Sequence, residues 1–300
     1  MVSVLSLNNI KKSYGKIQAL KGVSFDVPPG SVFGILGPNG SGKTTLLGVV
    51  MDVLKSGGGN YTWFGNEPSG KQRRAIGTLL ETPNFYHYLS GERNLQIAAD
   101  IKEKPGEDIE RVLKLVRLYE RRHSKFQTYS LGMKQRLAIA SCLLGNPSVL
   151  VFDEPTNGLD PSGIAEIREL IIELAKEGKT IILASHLLSE VEKVCTHVAI
   201  LQEGGLITSG SVKDVLSNEE WLELSTENSE TLKAILSGFP GVRKIEIFGS
   251  LFQVFFDRDI PDAGLLNKFC FDQGIVLNYL RLRKKSLESE FITLTNNVSN

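Results

Sequence analysis

The chain has 300 residues, of which 41% are hydrophobic and 23% charged. Its 34 basic and 34 acidic residues balance, so charge gives no reason to expect a nucleic-acid-binding protein. No apolar run is long enough to cross a bilayer, and the first seven residues do not resemble a signal peptide, so we expect neither a membrane-spanning nor a secreted chain. Cys142, Cys195 and Cys270 are widely spaced and fit no metal-ligand pattern, which predicts reduced, buried thiols in a cytosolic protein.

A glycine-rich loop follows the first strand-like segments. Residues 1–30 alternate and turn like β-structure, an apolar run at 32–36 enters the sequence Gly-Pro-Asn-Gly-Ser-Gly-Lys-Thr-Thr at 37–45, and a helix-like segment at 46–53 leaves it. The loop matches the phosphate-binding pattern G-x-x-x-x-G-K-[ST] between a strand and a helix, which predicts that the chain binds a nucleoside triphosphate. The alternative is a glycine-rich turn that matches by accident, and the flanking strand and helix disfavour it.

The residue types of this loop suit phosphate binding. Gly40 and Gly42 let successive backbone N–H groups turn towards an anion, and the helix behind them adds the positive end of its dipole. Lys43 is predicted to reach the β- and γ-phosphates, and Thr44 to supply a hydroxyl ligand to Mg²⁺. The predicted phosphate-binding residues are Gly37, Pro38, Asn39, Gly40, Ser41, Gly42, Lys43, Thr44 and Thr45.

Helices and strands alternate further along the chain. Residues 92–120 carry a largely apolar helical face, and a second helix is predicted at 130–144. The apolar runs at 149–152 and 180–184 are typical of strands buried on both faces of a parallel sheet, with a helix predicted at 161–175 between them. This alternation predicts an α/β core.

Three polar side chains follow these two apolar runs. Asp153 and Glu154 stand at the end of the first, and His186 follows the second. Because ligands of open α/β sheets bind at the carboxyl ends of strands, we expect Asp153 in the Mg²⁺ shell and Glu154 as the general base that orients or deprotonates water. His186 is placed to hydrogen-bond the γ-phosphate. An exposed acidic pair at a strand end is the alternative, and the phosphate loop upstream disfavours it.

The pattern changes near residue 217. Strands at 221–224, 243–248, 252–256 and 275–282, with helices at 230–239 and 262–273, give the order β-α-β-β-α-β. This order predicts a small ferredoxin-like α+β domain. It shows no catalytic pattern.

A basic cluster lies near the end of this region. It consists of Arg281, Arg283, Lys284 and Lys285. We expect a solvated face, with a functional contact to an anion as the alternative.

With these motifs the chain resembles the ATP-binding subunits of ABC transporters, over roughly residues 3–217. The motifs follow the order found in that family. Tyr14 matches the aromatic that stacks on adenine, and the phosphate loop is followed by a signature motif at 129–136. Asp153-Glu154 matches the Walker B pair, residues 158–160 with Asp160 match the D-loop, and His186 matches the switch histidine. The resemblance implies ATP and Mg²⁺, with Glu154, His186 and Lys43 as catalytic residues.

The resemblance also implies an α/β fold, that of an ABC-type P-loop NTPase. Such a fold has a RecA-like core, an antiparallel β subdomain and an α-helical signature subdomain. We therefore expect an ABC ATP-binding domain at 1–217 and a C-terminal accessory α+β domain, ferredoxin-like in its element order, at 218–300.

The signature motif implies a dimer. Ser130 stands where a helix N-cap is expected, and Gly132 leaves the first turn open for close approach. In this family the signature residues, here Ser130, Leu131, Gly132 and Met133, cap the ATP held by a second subunit. Leu131 and Met133 depart from the Ser-Gly-Gly-Gln of many members, whereas Ser130 and Gly132 are retained. The second subunit is a further copy or a close paralogue.

A second departure is Glu81, where the loop between the two subdomains usually has glutamine. A carboxylate binds Mg²⁺ more strongly than an amide, although it adds negative charge near Asp153 and Glu154. This substitution, and the whole chain, resemble the bacitracin-resistance and lantibiotic-immunity exporters. We hypothesise that Glu81, with Thr44 and Asp153, binds Mg²⁺ and couples the site to a membrane partner.

Aromatic residues follow at 84–89, where by resemblance the coupling helix of a membrane subunit docks. Aromatic anchors suit such an interface, and ordinary subdomain core is the alternative. The resemblance thus implies a cytoplasmic, dimeric ATPase, peripheral on the inner face of the membrane, that powers an exporter through a separate permease subunit.

Two other functions stay open. A soluble ABC ATPase without a membrane partner, acting on ribosomes or DNA, generally has two nucleotide domains or a long coiled-coil insertion, and this chain has one phosphate loop. A regulatory ATP-binding module without turnover is disfavoured by Glu154 and His186. The sequence identifies neither the transported substrate nor the role of residues 218–300.

Overall fold

The computed structural model describes residues 2–80, 84–104, 106–216, 220–227, 229–257, 262–284, 286–288 and 290–291. The chain divides into two compact units, one that reaches Val215 and one that spans Leu216–Glu290. Each unit has a hydrophobic core of its own.

The first unit combines a six-stranded sheet, a three-stranded antiparallel sheet and flanking helices. Its strands are β1 (Leu5–Tyr14), β2 (Ile17–Val27), β3 (Val32–Leu36), β4 (Gly58–Trp63), β5 (Ile76–Leu79), β6 (Val149–Asp153), β7 (Thr180–Ser185), β8 (His197–Gln202) and β9 (Gly205–Ser211). Its helices are α1 (Lys43–Val50), α2 (Gly70–Arg74), α3 (Gly91–Ile101), α4 (Asp108–Leu115), α5 (Leu131–Leu143), α6 (Pro161–Lys176), α7 (Leu188–Val194) and α8 (Val212–Val215), with 3-10 turns at Tyr119–Arg121 and Phe126–Thr128.

The six-stranded sheet places three functional segments at one edge. Its order is β5-β6-β7-β3-β8-β9, and neighbouring strands are parallel except β8 and β9. Strands β3, β6 and β7 are buried along their whole length, as their apolar sequences require. Because these three are parallel neighbours, their carboxyl ends bring together the phosphate loop, Asp153-Glu154 and Ser185-His186. The predicted α/β core is confirmed.

The antiparallel sheet has the order β2-β1-β4 and shares its core with α1 and the large sheet. Trp63 on β4 is fully buried, and its indole N–H donates to the Val50 carbonyl at the end of α1, 3.0 Å away. Helices α3, α4 and α5 contact one another as a helical group. In α4 the apolar residues Ile109, Val112 and Leu113 share one buried face, as their spacing predicts.

Two predicted helix boundaries in this unit are wrong, for backbone reasons. Helix α1 begins at Lys43 rather than Leu46, because Gly42 has a left-handed φ of 102° that turns the loop directly into the first helical turn. The helix predicted at 92–120 is interrupted, since Glu103 has a left-handed φ of 54° that ends α3.

The second unit has the predicted order β-α-β-β-α-β. Its elements are β10 (Glu220–Ser225), α9 (Ser229–Leu236), β11 (Val242–Phe248), β12 (Leu251–Phe256), α10 (Ala263–Asp272) and β13 (Tyr279–Lys284). The sheet order is β11-β12-β10-β13, with every neighbouring pair antiparallel. Leu222 and Val254 are fully buried with Leu232 of α9 and Leu266 of α10, so the helices cover one face of the sheet.

The last strand begins at Tyr279 and not at residue 275 as predicted. Gly274 follows α10 with a φ of 80°, and Ile275 then buries its side chain in the core of the unit. The apolar pattern there reflects packing of a connecting segment. In the basic cluster Arg283 pairs with Glu223 at 2.9 Å and Lys284 pairs with Glu220, whereas Lys285 lies outside the described residues.

Candidate active site

The phosphate loop leaves the carboxyl end of β3 and runs directly into α1. At Gly37 and Gly42 the loop packs against the backbone of neighbouring segments. A Cβ at Gly37 would lie 2.3 Å from the Leu201 carbonyl oxygen, and one at Gly42 would lie 2.6 Å from the Ala19 carbonyl oxygen. At Gly40 a Cβ would meet nothing within 4 Å. The loop is therefore supported from behind and open at Gly40, which is the arrangement that a polyphosphate needs.

Lys43 supplies the buried positive charge of this loop. Its side chain is 5% exposed, and Nζ donates to the carbonyl oxygens of Gly37 at 2.9 Å and Pro38 at 3.1 Å. Nζ also lies 3.5 Å from Oε1 of Glu154. These contacts keep a buried ammonium solvated, and the phosphate groups of a ligand offer the same kind of oxygen partner.

Glu154 joins the lysine to the histidine. Its Oε2 lies 2.9 Å from Nδ1 of His186, and its backbone N–H donates to the Ala184 carbonyl at 3.0 Å. Its φ of 48° is left-handed, which is uncommon outside glycine and costs free energy. The structure thus brings together Lys43, Glu154 and His186, the three residues predicted as catalytic.

Asp153 and Thr44 supply oxygen donors near this cluster. Asp153 is the last residue of β6 and is 7% exposed, and Thr44 lies in the first turn of α1. Carboxylate and hydroxyl oxygens suit Mg²⁺, so this donor set fits the ion. Glu81, the third predicted ligand, lies outside the described residues. Within the described ranges no three His, Cys, Asp or Glu side chains gather as a metal-binding group.

Tyr14 ends β1 and is 47% exposed. The ammonium of Lys12 lies 5.4 Å from the centroid of its ring and donates to the Lys55 carbonyl at 2.6 Å. A cation over the ring stabilises one orientation of it. Lys12 is absent from the sequence-based prediction, although the i, i+2 spacing on a strand, which places both residues on one face, is a signal for it.

The signature motif forms an accessible helix N-terminus. The Ser130 hydroxyl accepts a hydrogen bond from the Met133 backbone N–H at 3.2 Å, so Ser130 is the N-cap of α5 as predicted. A Cβ at Gly132 would meet nothing within 4 Å, and Leu131 is 50% exposed. The first turn of α5 therefore offers N–H groups to a ligand outside this chain's own packing.

The remaining predicted site residues lie on other elements. Asp160 is the N-cap of α6 and accepts a hydrogen bond from the Gly163 N–H at 2.9 Å. In the part of the chain that the structure describes, no hydrogen bond or ion pair joins Tyr14, Ser130 or Asp160 to the Lys43, Glu154 and His186 cluster. The direct contacts of the predicted site are thus those among Lys43, Glu154 and His186.

The cysteines play no part in this site. All three are buried and unbridged, as predicted. Burial raises the pKa of the Cys142 thiol to about 11 and also raises the pKa of Cys195. Buried, protonated thiols are poor nucleophiles and poor metal ligands.

Comparison with known proteins identifies the family. The sequence pattern of the ABC transporter family matches residues 20–157. BcrA, a bacitracin transport ATP-binding protein of Bacillus licheniformis, is 33% identical over 301 residues, which cover 98% of this chain and 98% of BcrA. The chain belongs to the ABC transporter ATP-binding family. SrtF, a lantibiotic transport ATP-binding protein of Streptococcus pyogenes, is 39% identical over 204 residues, which cover 68% of this chain and 89% of SrtF.

The fold of this ABC transporter ATP-binding protein is also found among solved structures. The structure of CbiO1 from Clostridium perfringens, part of the ABC transporter complex CbiONQ, matches with a TM-score of 0.65 and 32% identity over 72% of this chain and 91% of CbiO1. The predicted ABC-type P-loop fold and the resemblance to the bacitracin and lantibiotic transport proteins are confirmed. Among the described residues no helix is both long and apolar enough to span a bilayer.

Proposed function

We propose that this ABC transporter ATP-binding protein is the ATP-hydrolysing subunit of an exporter whose membrane-spanning part is a separate polypeptide. The observation that carries the ATPase activity is the contact of one carboxylate, Glu154, with both Lys43 and His186 beside the phosphate loop. A carboxylate there is placed to accept a proton from water or to orient it. The similarity to BcrA over nearly the whole chain supports the exporter class.

Positioning and electrostatics supply the catalysis. When ATP binds, Lys43 exchanges the carbonyl oxygens of Gly37 and Pro38 for phosphate oxygens. This movement removes the ammonium from Glu154, whose carboxylate then acts on the attacking water. His186 holds Glu154 through Nδ1, which leaves Nε2 to contact the γ-phosphate.

Mg²⁺ supplies positive charge that offsets the negative charge developing on the phosphate oxygens. We propose Thr44, Asp153 and Glu81 as the residues that hold it. Their oxygen donors are of the type that Mg²⁺ prefers.

We propose that a second ATP-binding subunit, a further copy or a close paralogue, completes the site. ABC ATP-binding subunits dimerise, and the N-terminus of α5 is capped by Ser130 and open at Gly132. Leu131 and Met133 flank Gly132 in the same turn, and we propose that all four signature residues face the ATP of the partner. Hydrolysis removes the γ-phosphate that joins the two subunits and lets the pair open.

A groove in the helical group suits a membrane permease subunit. It has a volume of about 400 Å³ and is lined by Asn84, Phe85, Tyr86, Asn94, Ile97, Ala98 and Ile101. Of these lining residues Tyr86 is 50% exposed, and Tyr88, whose ring lies 6.0 Å from that of Tyr86, is 66% exposed. Phe85 instead packs inward against Phe126, with ring centroids 5.2 Å apart. The aromatic segment therefore contributes both to the core and to an exposed face that an apolar helix can cover.

The proposed docking on a permease also implies a location. A subunit that docks on a permease through this groove lies at the cytoplasmic face of the membrane, and the permease selects the cargo.

We propose functional domains at 1–217 and 218–300, the second ferredoxin-like. The antiparallel order β11-β12-β10-β13 supports that assignment.

The substitution Glu154→Gln tests the proposal. Glutamine keeps the size of the side chain but accepts no proton, so we expect ATP hydrolysis to fall by at least about 100-fold while ATP still binds. The variant should accumulate as an ATP-dependent dimer in sedimentation, and phosphate release measures its turnover. As a control, Glu173→Gln on the exposed face of α6 should leave both unchanged.

Three results would contradict parts of this proposal. Normal turnover of Glu154→Gln rules out the general base. A slow variant that stays monomeric with ATP rules out the shared site. If no membrane protein co-purifies with the chain from its native cells, the soluble ABC ATPase becomes the better interpretation.

A further inference from the structure

The turn between β8 and β9 supports the phosphate loop from behind. The Gly204 N–H donates to the Ser41 carbonyl at 3.1 Å, and the Gly204 carbonyl accepts from the Lys21 N–H at 2.8 Å. Beside this turn the Leu201 carbonyl lies so close to Gly37 that a Cβ there would come within 2.3 Å of it. The end of β8 and the turn thus contact the loop at Gly37 and Ser41, and the turn also reaches β2.

Three backbone segments meet here without room for a side chain. The Ala19 carbonyl of β2 lies between two glycines: a Cβ at Gly42 would come within 2.6 Å of its oxygen, and a Cβ at Gly204 within 2.7 Å. Both glycines have positive φ, 102° at Gly42 and 80° at Gly204. A side chain at Gly204 therefore meets the backbone of β2, and either the turn, which is hydrogen-bonded to the loop at Ser41, or β2 must move.

We propose that Gly204 is a positioning residue for the phosphate loop. Its hydrogen bond to Ser41 fixes the residue just before Gly42 and Lys43, where the loop becomes α1. Its hydrogen bond to Lys21 ties the same turn to β2, whose Ile17 pairs with Tyr14 of β1. Gly204 thus sets where the triphosphate-binding N–H groups stand relative to the adenine-stacking ring. This inference rests on the proposed role of residues 37–45 in binding ATP.

Three variants of the full-length chain test the inference against inorganic tripolyphosphate and ATP by titration calorimetry. Gly204→Ala should weaken the binding of both ligands by at least about tenfold. This is the effect of losing one charge-assisted hydrogen bond between the loop and a phosphate group. Gly204→Asn should bind as weakly, because asparagine tolerates positive φ but its Cβ still meets Ala19. The matched control is Gly205→Ala, which should bind like wild type: Gly205 lacks a positive φ and its Cβ would lie 3.5 Å from the nearest atom, the Gln202 carbonyl oxygen.

Two further variants separate this inference from the proposed function. Lys43→Ala should abolish tripolyphosphate binding, and Tyr14→Leu should weaken ATP but not tripolyphosphate. If Lys43→Ala binds tripolyphosphate like wild type, the proposed phosphate site is wrong. If Lys43→Ala loses binding but folded Gly204→Ala binds like wild type, Gly204 has no positioning role. Recovery of binding by Gly204→Asn also overturns the inference, because backbone strain alone then explains the loss.

Hydrogen exchange on the unmodified protein gives a test that does not depend on folding of a variant. Tripolyphosphate should slow exchange of the Gly204 and Lys21 amides, since ordering of the loop stabilises the turn that holds it. The amide of Gly178, in the turn after α6, should exchange as before. Unchanged exchange at Gly204 in the presence of saturating tripolyphosphate would overturn the inference.

Discussion

At the scale of single residues, the conformation of Glu154 shows a conflict between stability and function. Its left-handed φ of 48° holds the carboxylate between Lys43 and His186. A residue with a Cβ is strained in this conformation, and glycine is not. The strain is maintained because the backbone N–H is fixed by the Ala184 carbonyl at the end of β7.

We therefore expect Glu154→Gly to be more stable than Glu154→Ala by roughly 1 kcal/mol in free energy of unfolding. Both variants lose the carboxylate, so the comparison isolates the backbone, and both should be inactive in ATP hydrolysis. At Glu173 inside α6 the order should reverse, since glycine weakens a helix by about 1 kcal/mol relative to alanine. Denaturant unfolding measures the free energy of unfolding of all four variants. Equal stability of the two Glu154 variants would show that the backbone is not strained at this position.

The sequence predicts the side chains of this cluster but not the backbone that supports them. Lys43, Glu154 and His186 each follow a recognisable apolar strand, and the carboxyl ends of parallel strands must lie at one edge. Ala19 acts through a carbonyl group that every residue has, and a glycine such as Gly204 is expected in any tight turn, so neither residue type by itself indicates a contact with the loop. Such contacts become visible only when the fold places distant segments side by side.

At the scale of elements, the aromatic segment at 84–89 is attached to the stretch that enters α5. The Phe126 N–H donates to the Leu89 carbonyl at 2.8 Å, and the Gln127 N–H to the His87 carbonyl at 3.0 Å. Phe126 is 2% exposed, and its ring lies 5.2 Å from Phe85 and 6.0 Å from Tyr129, centroid to centroid. Tyr129 directly precedes Ser130, so movement of the aromatic segment must displace the start of α5 or break this cluster.

We expect Phe126→Leu to weaken the coupling between the aromatic segment at 84–89 and the start of α5. A fluorophore attached at Tyr88→Cys, in the Glu154→Gln background, should change its fluorescence when ATP drives dimerisation. Phe126→Leu should lower this fluorescence change by about half or more while the affinity for ATP stays the same. The native cysteines are buried and should not react. Phe252→Leu, an equally buried change in the second unit, is the control and should leave the signal intact. An undiminished signal in Phe126→Leu would exclude the cluster as the connection.

At the scale of the whole molecule, the elements of the site all belong to the first unit. SrtF matches through 204 residues that cover 89% of its length, which leaves too little chain for a second unit of this size. BcrA, in contrast, matches over 98% of both chains and therefore has room for it. The second unit is thus an addition to the nucleotide-binding fold, and it has a hydrophobic core and polar contacts of its own.

Glu223 is a group through which pH affects the stability of this second unit. The side chain is 9% exposed, Oε2 accepts from Arg283 at 2.9 Å and from the Tyr279 hydroxyl at 3.0 Å, and the Gln253 amide lies 3.4 Å from Oε1. Burial alone raises the pKa of this carboxyl, but the hydrogen bonds from Arg283 and Tyr279 outweigh it and lower the pKa below its usual value. The charged form is therefore favoured by folding.

The sign of the pH effect follows from this lowered pKa. The stabilisation by Glu223 is complete above the unfolded-state pKa, about 4.3, and is lost as the pH falls through the folded-state value. At pH 7, Glu223→Gln should destabilise the second unit by about 2 kcal/mol, because two hydrogen bonds lose their charged acceptor. In a unit of this size such a loss lowers the midpoint of thermal unfolding by roughly 8 °C or more. Exposed Glu227→Gln is the control and should change little.

The difference between wild type and Glu223→Gln should shrink as the pH falls below the unfolded-state pKa, because the unfolded wild-type chain then binds a proton that the folded unit resists. Calorimetry over this pH range measures it, and the midpoint of the first unit should be the same in both proteins, since the unit cores are separate. A difference that persists unchanged at pH 3 would show that Glu223 acts through packing rather than charge. A shift in both units together would show instead that the two unfold as one, so that the accessory unit contributes directly to the stability of the nucleotide site.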